Sequence, residues 1–539
     1  MKDNPSISKE NVYDDNSVEK FDASAVNSKE KQSLYAAREK IHPKRASGDF
    51  RKFKWWIMIV SLGIYYLTPW IRWDRGIGAP DQAVLLDMVN FRFYFFFIEI
   101  WPHEFYYVAG MLVMAGIGLF LVTSVFGRAW CGYTCPQTVW VDLFLVVERF
   151  IEGDRNARIK LDKKPLSISK AIKKIIKHTI WLVIGIATGG AWIFYFADAP
   201  TLLNSFIHGN APMVAYFTVG ILTATTYIFG GLMREQVCIY MCPWPRIQAA
   251  MLDEHSLTVT YNAWRGEQRS RNSKKQRQVN IPVGDCVDCN ACVAVCPMGI
   301  DIRDGQQMEC ITCALCIDAC DEVMDKVGLE KGLISYSTLN DYTQNMQLSG
   351  ATGSVTEITG NKIYDTIVPA KIHTGKGLVS GIKLTSWKNL LTPRNYVYLA
   401  FYSAIGLAIL SVLAMRETLD VNILHDRNPV FVKLRDGSIR NGFEIKILNM
   451  RGQIRQFWIQ TEGLNGALMK PAGSQNLPTK SLLVEVPADK LRALKVFVTL
   501  PKNEITSVRT HFKFKVTSLL GAETTSTDAN FESPKGYGK

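Results

Sequence analysis

Apolar residues gather in five long blocks along this chain, at 55–71, 105–126, 179–197, 211–233 and 396–415. Each approaches the ~20 residues a helix needs to cross a bilayer, so the pattern predicts five transmembrane α-helices. The first block is short, and the third carries Gly185, Gly189 and Gly190, which softens its ends. The polar, charged residues ahead of the first block predict a disordered tail over 1–50. They also predict no cleaved signal peptide, which would open on basic and apolar regions.

After the last block the period changes. Short runs at 430–434, 443–448, 456–460, 481–486, 495–499 and 511–516, several of them alternating, are punctuated by Asp436-Gly437, Asn441-Gly442 and Arg451-Gly452. About a hundred residues patterned in this way predict a β-sandwich, immunoglobulin-like in the broad sense. It contains no cysteine, so it must hold by its core alone. The expected organisation is a membrane domain over 51–259, a further domain with its connector over 260–390, a fifth helix over 391–420, the sandwich over 421–525 and a disordered tail over 526–539.

Charge then orients the helices. The formal net charge of +13 is concentrated at Lys44, Arg45, Arg51, Lys52 and Lys54, between 149 and 177, and between 265 and 277. The positive-inside rule puts all three segments in the cytoplasm, and five helices then leave the sandwich outside. Juxtamembrane lysines and arginines account for the basic surplus, so no nucleic-acid partner is expected.

Cysteine spacing supplies the chemistry. Eight of twelve cysteines stand as Cys286-x-x-Cys289-x-x-Cys292-x-x-x-Cys296-Pro297 and Cys310-x-x-Cys313-x-x-Cys316-x-x-x-Cys320. Three thiolates two residues apart wrap three corners of a cubane, and the fourth of each run crosses to the other cluster. The spacing therefore predicts a bacterial ferredoxin-like domain with two [4Fe–4S] clusters, one on Cys286, Cys289, Cys292 and Cys320, the other on Cys310, Cys313, Cys316 and Cys296. Zinc rarely needs two identical four-cysteine runs, and disulfides are disfavoured in a reducing compartment.

The remaining cysteines lie in a weak internal repeat. Two hairpins of apolar blocks end in Cys131-Gly132-Tyr133-Thr134-Cys135-Pro136 and Cys238-Ile239-Tyr240-Met241-Cys242-Pro243. Each proline suits the first turn of a helix, predicting interfacial helices over 136–151 and 243–253. Cys131, Cys135, Cys238 and Cys242 at one depth suit Cu(I), a third cluster or a dithiol relay, although cysteine also packs as a small hydrophobe. Met111, Met114 and Met241 are candidate thioether ligands, and His103 and His208 candidate ligands on the outer side. Covalent haem, a dinucleotide fingerprint and a P-loop are all without their motifs, so no nucleotide is implied.

The two C-x-x-x-C-P motifs, the ferredoxin segment around Glu309-Cys310-Ile311-Thr312-Cys313 and the sandwich opening Asp426-Arg427-Asn428-Pro429 together resemble the CcoG family, also called FixG or RdxA. The likeness covers nearly everything after residue 40. It implies a bacterial inner-membrane protein that reduces Cu(II) to Cu(I), a cupric reductase, for assembly of cbb3-type cytochrome c oxidase. Copper ions held transiently, oxidase assembly components and an unidentified electron donor are the partners this implies; the sequence leaves the oligomeric state open, a homodimer included. Asp321 stands where a symmetric ferredoxin pattern has a proline, which is not a ligand. A quinol-linked electron-transfer subunit of another respiratory system, and a non-catalytic assembly scaffold, are the competing readings.

Overall fold

The computed structural model describes every residue except 1–17, 28–38, 77–78, 272–282, 349–391, 417, 476, 489, 520–522 and 537–539. It divides into two compact units, one of Met1–Trp70, Val84–Phe93 and Ile100–Leu407, the other of Ile71–Ala83, Tyr94–Glu99 and Ala408–Lys539.

The first unit begins with α1 (Asp49–Leu67), α2 (Tyr106–Phe126), α3 (Pro136–Glu152), α4 (Arg155–Lys163), α5 (Ile168–Ile193), α6 (Ala199–Ile207), α7 (Met213–Thr226) and α8 (Trp244–Met251). Short strands β1 (Val84–Asp87), β2 (Arg92–Phe95) and β3 (Ile98–Ile100) interrupt the connection from α1 to α2. Among the described residues four helices, not the expected five, are long and apolar enough to cross a membrane: Pro102–Phe126, Ile168–Ile193, Met213–Met233 and Pro393–Ala414. The one that falls short is α1, because Asp49, Arg51, Lys52 and Lys54 occupy its opening turns. It still runs alongside the others. Near its start Arg51 grips both Asp142 oxygens at 2.8 Å, and near its end the Tyr65 hydroxyl donates to the Thr188 carbonyl at 2.8 Å.

The glycines of α5 do not soften it. A Cβ on Gly185 would stand 3.2 Å from the Thr223 carbonyl oxygen, and one on Gly189 2.9 Å from that of Val219. Small residues here let α5 and α7 approach backbone to backbone, the usual basis of packing between helices in lipid.

The chain then forms β4 (Thr258–Tyr261), α9 (Ala263–Gly266), α10 (Ala291–Val295), α11 (Leu315–Val327), β5 (Ile334–Ser337) and α12 (Leu339–Leu348), with β4 and β5 antiparallel, before the last helix, α13 (Pro393–Ala414). These elements enclose one core around the eight ferredoxin cysteines. The segment expected to be a disordered tail contributes to it: residues 18–27 and 39–48 lie along the ferredoxin, with Phe21 buried. Its polar composition conceals single apolar anchors and backbone hydrogen bonds, which leave no periodic trace.

In the second unit β6 (Leu419–His425), β7 (Val432–Lys433), β8 (Ile439–Asn449), β9 (Arg455–Glu462), β10 (Leu468–Pro471), β11 (Ser481–Val486), β12 (Leu491–Leu500), β13 (Arg509–Ser518) and β14 (Thr524–Glu532) build the sandwich. One sheet runs β10-β12-β8-β6, with β7 on β8, and the other β11-β9-β13-β14. Phe443, Phe457, Phe512, Phe514 and Phe531 fill the space between them. The tail expected over 526–539 is strand as far as Glu532, because β14 pairs with β13 along its whole length.

Candidate functional site: two ferredoxin loops against a pair of membrane thiol turns

Every cysteine of the second ferredoxin run stands 24 residues after its counterpart, and the backbone repeats with it. Asp288 and Asn290 in the first loop have φ of 48° and 58°; Thr312 and Ala314, their equivalents, have 49° and 59°. These left-handed turns fold each loop back on itself and aim amides at sulfur. Asp288 and Ala291 donate to Cys286 and Cys289, Thr312 to Cys310, and Met298 and Ile300 to Cys296.

One cavity is lined by Cys286, Cys289, Cys292 and Cys320, together with Tyr261 and Arg303. Its neighbour is lined by Cys296, Cys310, Cys313 and Cys316, with Cys292 at the boundary. All twelve cysteines are free of disulfides. Burial pushes the Cys296 thiol up to about 12 and Cys310 up to about 11, and raises Cys286, Cys292 and Cys320 as well. Such thiols keep their protons until a metal displaces them. Convergent buried sulfur, amides already pointed at it and the Arg303 guanidinium nearby suit anionic iron–sulfur clusters, and each cavity offers four sulfurs to one. Arg303 is fixed by Asp288 and Asn290, each at 2.8 Å, and by Asp301.

The membrane motifs form a second pair of like turns. Gly127 and Arg234 end their helices with φ of 59° and 46°. Each is followed by a π-helical turn, Trp130–Thr134 or Val237–Met241, closed by an amide of Cys135 or Cys242 on the carbonyl five residues back. The wide turn brings residues four apart towards one face, which explains the C-x-x-x-C spacing; such turns recur at functional sites. Cys135 caps α3, at the positive end of its dipole. Burial, with the neighbouring cysteines, pushes Cys131 and Cys238 each up to about 12, and Cys131 feels Cys135, Cys238 and Cys242. The structure thus brings both motifs together. Among the described residues no three ligating side chains close around a single metal ion, and this includes the four membrane thiols. The Cys131 thiol donates to Gln248 at 3.0 Å.

The two sites abut. A Cβ on Gly132 would lie 2.6 Å from the Ile311 carbonyl oxygen and 3.1 Å from the Cys313 Cα, so glycine alone lets the first membrane motif rest on the second ferredoxin loop. Arg128 donates to the carbonyls of Met308 and Cys310, and the Tyr336 hydroxyl bridges Tyr133 and the Thr312 carbonyl. Arg128, Gly132, Arg303 and Tyr336 were not legible as site residues, since each acts through a contact distant in sequence. His103 and His208 are exposed, and His208 bonds its own helix at Asn204. Met111 and Met114 sit within α2, and Met241 is exposed.

Buried ion pairs hold the second motif. Glu148 of α3 reaches Arg158 and Arg234 at 2.8 Å and Lys177 at 3.4 Å, and these cations keep its carboxyl well below the usual range despite burial.

Comparison with known proteins agrees with this architecture. Residues 108–151 match a 4Fe-4S binding domain, 233–339 a 4Fe-4S dicluster domain and 409–534 the IG-like fold at the C-terminal of FixG. The chain is 57% identical to the nitrogen fixation protein FixG of Rhizobium meliloti, over 97% of this chain and 98% of that one. It is 49% identical to proteins RdxA and RdxB of Cereibacter sphaeroides, over 87% and 86% of this chain and 91% and 90% of theirs. A crystal structure of a FixG-related protein from Vibrio parahaemolyticus covers 22% of this chain and 97% of its own, at 16% identity and a TM-score of 0.19. This chain belongs to the FixG/RdxA family of membrane-associated iron–sulfur electron-transfer proteins.

Proposed function

We propose that single electrons pass from the ferredoxin clusters, through the loop of Cys310, Cys313 and Cys316, to Cu(II) bound at Cys131, Cys135, Cys238 and Cys242, and that the Cu(I) formed serves assembly of a cbb3-type oxidase. The observation that carries this reading is the seating of Gly132 against Ile311 and Cys313. It leaves no intervening side chain between a ferredoxin ligand loop and a membrane thiol turn. The clusters supply one-electron reducing equivalents. Soft sulfur ligands favour Cu(I) over Cu(II), so a cupric ion seated there becomes easier to reduce. Each electron lost by the ferredoxin converts one Cu(II) to one Cu(I). The basic segments support a cytoplasmic ferredoxin and a periplasmic sandwich.

Anaerobic protein, reduced and freed of excess reductant, should be reoxidised by Cu(II) with stoichiometric Cu(I), followed by EPR. Replacing Cys131 and Cys135 by alanine should abolish this while leaving both cluster signals intact. Variants that keep the parent rate would sink the reading.

A second reading has its own support. The 4Fe-4S match over 108–151 includes Cys131 and Cys135. Around the motifs, buried Arg51, Lys54, Arg128, Arg158, Lys177 and Arg234 outnumber buried Asp142, Glu148, Glu152, Glu235 and Asp318 by one. An anionic metal–thiolate centre answers that excess, as four neutral thiols cannot. A third cluster at the membrane thiols would fill this role, and about twelve irons per chain, in place of about eight, would establish it.

A further inference from the structure

Of the four cysteines lining the first ferredoxin cavity, Cys286, Cys292 and Cys320 are buried and Cys289 is not. What covers Cys289 comes from far away in sequence. The Phe21 amide donates to the Cys289 carbonyl at 3.0 Å, and the Asn290 side chain returns a bond to the Phe21 carbonyl at 3.4 Å. The Phe21 ring is 7% exposed within the same core as the cysteines, and the Lys44 ammonium sits 3.8 Å above it.

The segment is fixed on both sides of that ring. Lys20 lies 3.9 Å from Asp288. Val26 and Asn27 donate backbone bonds to the Gly299 carbonyl at 2.8 and 3.1 Å, and the Asn27 side chain donates to the Met298 carbonyl at 2.7 Å. Arg155 of α4 holds the Asp22 carbonyl at 2.7 Å, so the strap is also tied to the membrane domain. Val18 and Lys20 complete the wall of a small opening over Cys289 with Val287, Val327 and Arg271.

We propose that residues 18–27 are an integral wall of the first cluster's site and that Phe21 is a positioning residue, holding the Cys289–Asn290 turn closed against solvent. The proposal rests on the iron–sulfur reading and is independent of copper. Phe21 touches a ligand's backbone and not the cluster, so it acts by controlling access and hydration. Solvent exposure is one of the levers on cluster potential. Water admitted at Cys289 would favour the more negative, reduced form and raise the potential of that cluster alone.

The test uses full-length protein in detergent, with iron content of the parent measured first; a parent without iron would remove the cluster reading itself. Phe21→Ala, Phe21→Leu, Asn27→Ala and a chain whose residues 18–27 are replaced by glycine and serine are compared with the parent. The readouts are iron loss in air-saturated buffer and the two cluster potentials from EPR-monitored titration. Phe21→Ala and the replaced strap should lose about half of their iron at least tenfold faster and raise one potential, with the other unchanged; Phe21→Leu should restore most of the protection. If Phe21→Ala does not fold, Asn27→Ala carries the same comparison with a smaller effect. Parent rates and potentials in the replaced strap, or equal acceleration at both clusters, would overturn the proposal.

Discussion

Replacing Glu148 by glutamine keeps the shape of the side chain and removes its charge. Glu148 is fully buried, and its two oxygens serve three cations, Arg158 and Arg234 at 2.8 Å and Lys177 at 3.4 Å. Removing one partner of a buried pair typically costs about 3–5 kcal/mol, because the charge left behind has already lost its water. Here three cations are left, although Lys177 retains Glu152 at 3.0 Å, so the lower half of that range is the expectation. Equilibrium denaturation in micelles, followed by the fluorescence of the thirteen tryptophans, measures it. The loss should be local as well as global. Arg234 holds a left-handed backbone conformation that costs a non-glycine residue of order 1–3 kcal/mol, and the pair with Glu148 is part of what keeps it there. Glu148→Gln should therefore loosen the turn that follows and speed maleimide labelling of Cys238, with Cys313 as the control. Adding Arg158→Gln should recover part of the stability, with a coupling energy of ~0.5–3 kcal/mol. A single variant within ~0.5 kcal/mol of the parent, labelled at Cys238 at the parent rate, would show that the charge network does not position the motif.

Cys320→Ala should remove iron from the cavity of Cys286, Cys289 and Cys292, taking iron from about eight to about four per chain while the other cluster's EPR signal remains; loss of the second signal instead would refute the crossed ligation. Alkaline phosphatase fused after residue 425 should be active and after residue 260 inactive, and the reverse would invert the topology. His42 is lowered to about 4 by burial and by Lys40 and Arg158, against Asp162, 3.5 Å from its Nε2, and Glu148. When segment 39–48 is released it binds this proton from about 6.5 downward and when docked it does not, so docking is fully favoured above 6.5 and weakens as pH falls from there towards 4. Hydrogen exchange over residues 39–48, corrected for intrinsic rates, should show the loss, and His42→Asn should flatten it; a parent profile already flat would refute the assignment.

Much of the fold was legible because it is periodic. Alternation located the strands that carry Phe443, Phe457 and Phe512, and the run expected at 481–486 is β11 itself. The missed strands have local reasons. In β14 the alternation is between threonine, serine and aspartate until Ala529 and Phe531, so its inward face looks polar. In α1 hydropathy was misleading in the other direction. Its apolar stretch begins only at Trp55, after charges that are ion-paired rather than solvated, since Arg51 and Lys54 are buried against Asp142. Periodicity reports which face of an element meets lipid or core, and it is blind to a cation whose partner comes from another helix.

The candidate site divides along the same line. A ligand set that follows one spacing can be read from sequence, because the cluster dictates where sulfur must stand. What joins the two thiol systems follows no spacing. Gly132 matters only because Ile311 and Cys313 lie against it, Arg128 because the Cys310 carbonyl is in reach, and Phe21 because its backbone amide donates a hydrogen bond to the Cys289 carbonyl, 268 residues away. Yet both membrane motifs repeat a left-handed residue before a π turn, and both ferredoxin loops repeat two left-handed residues around their central cysteine. The repeated spacings come with two pairs of like turns, and the asymmetric contacts distinguish the members of each pair. Arg128 and Gly132 tie the first membrane turn to the second ferredoxin loop, while the strap covers the first loop. The second ferredoxin loop is therefore the one in direct contact with a membrane thiol turn.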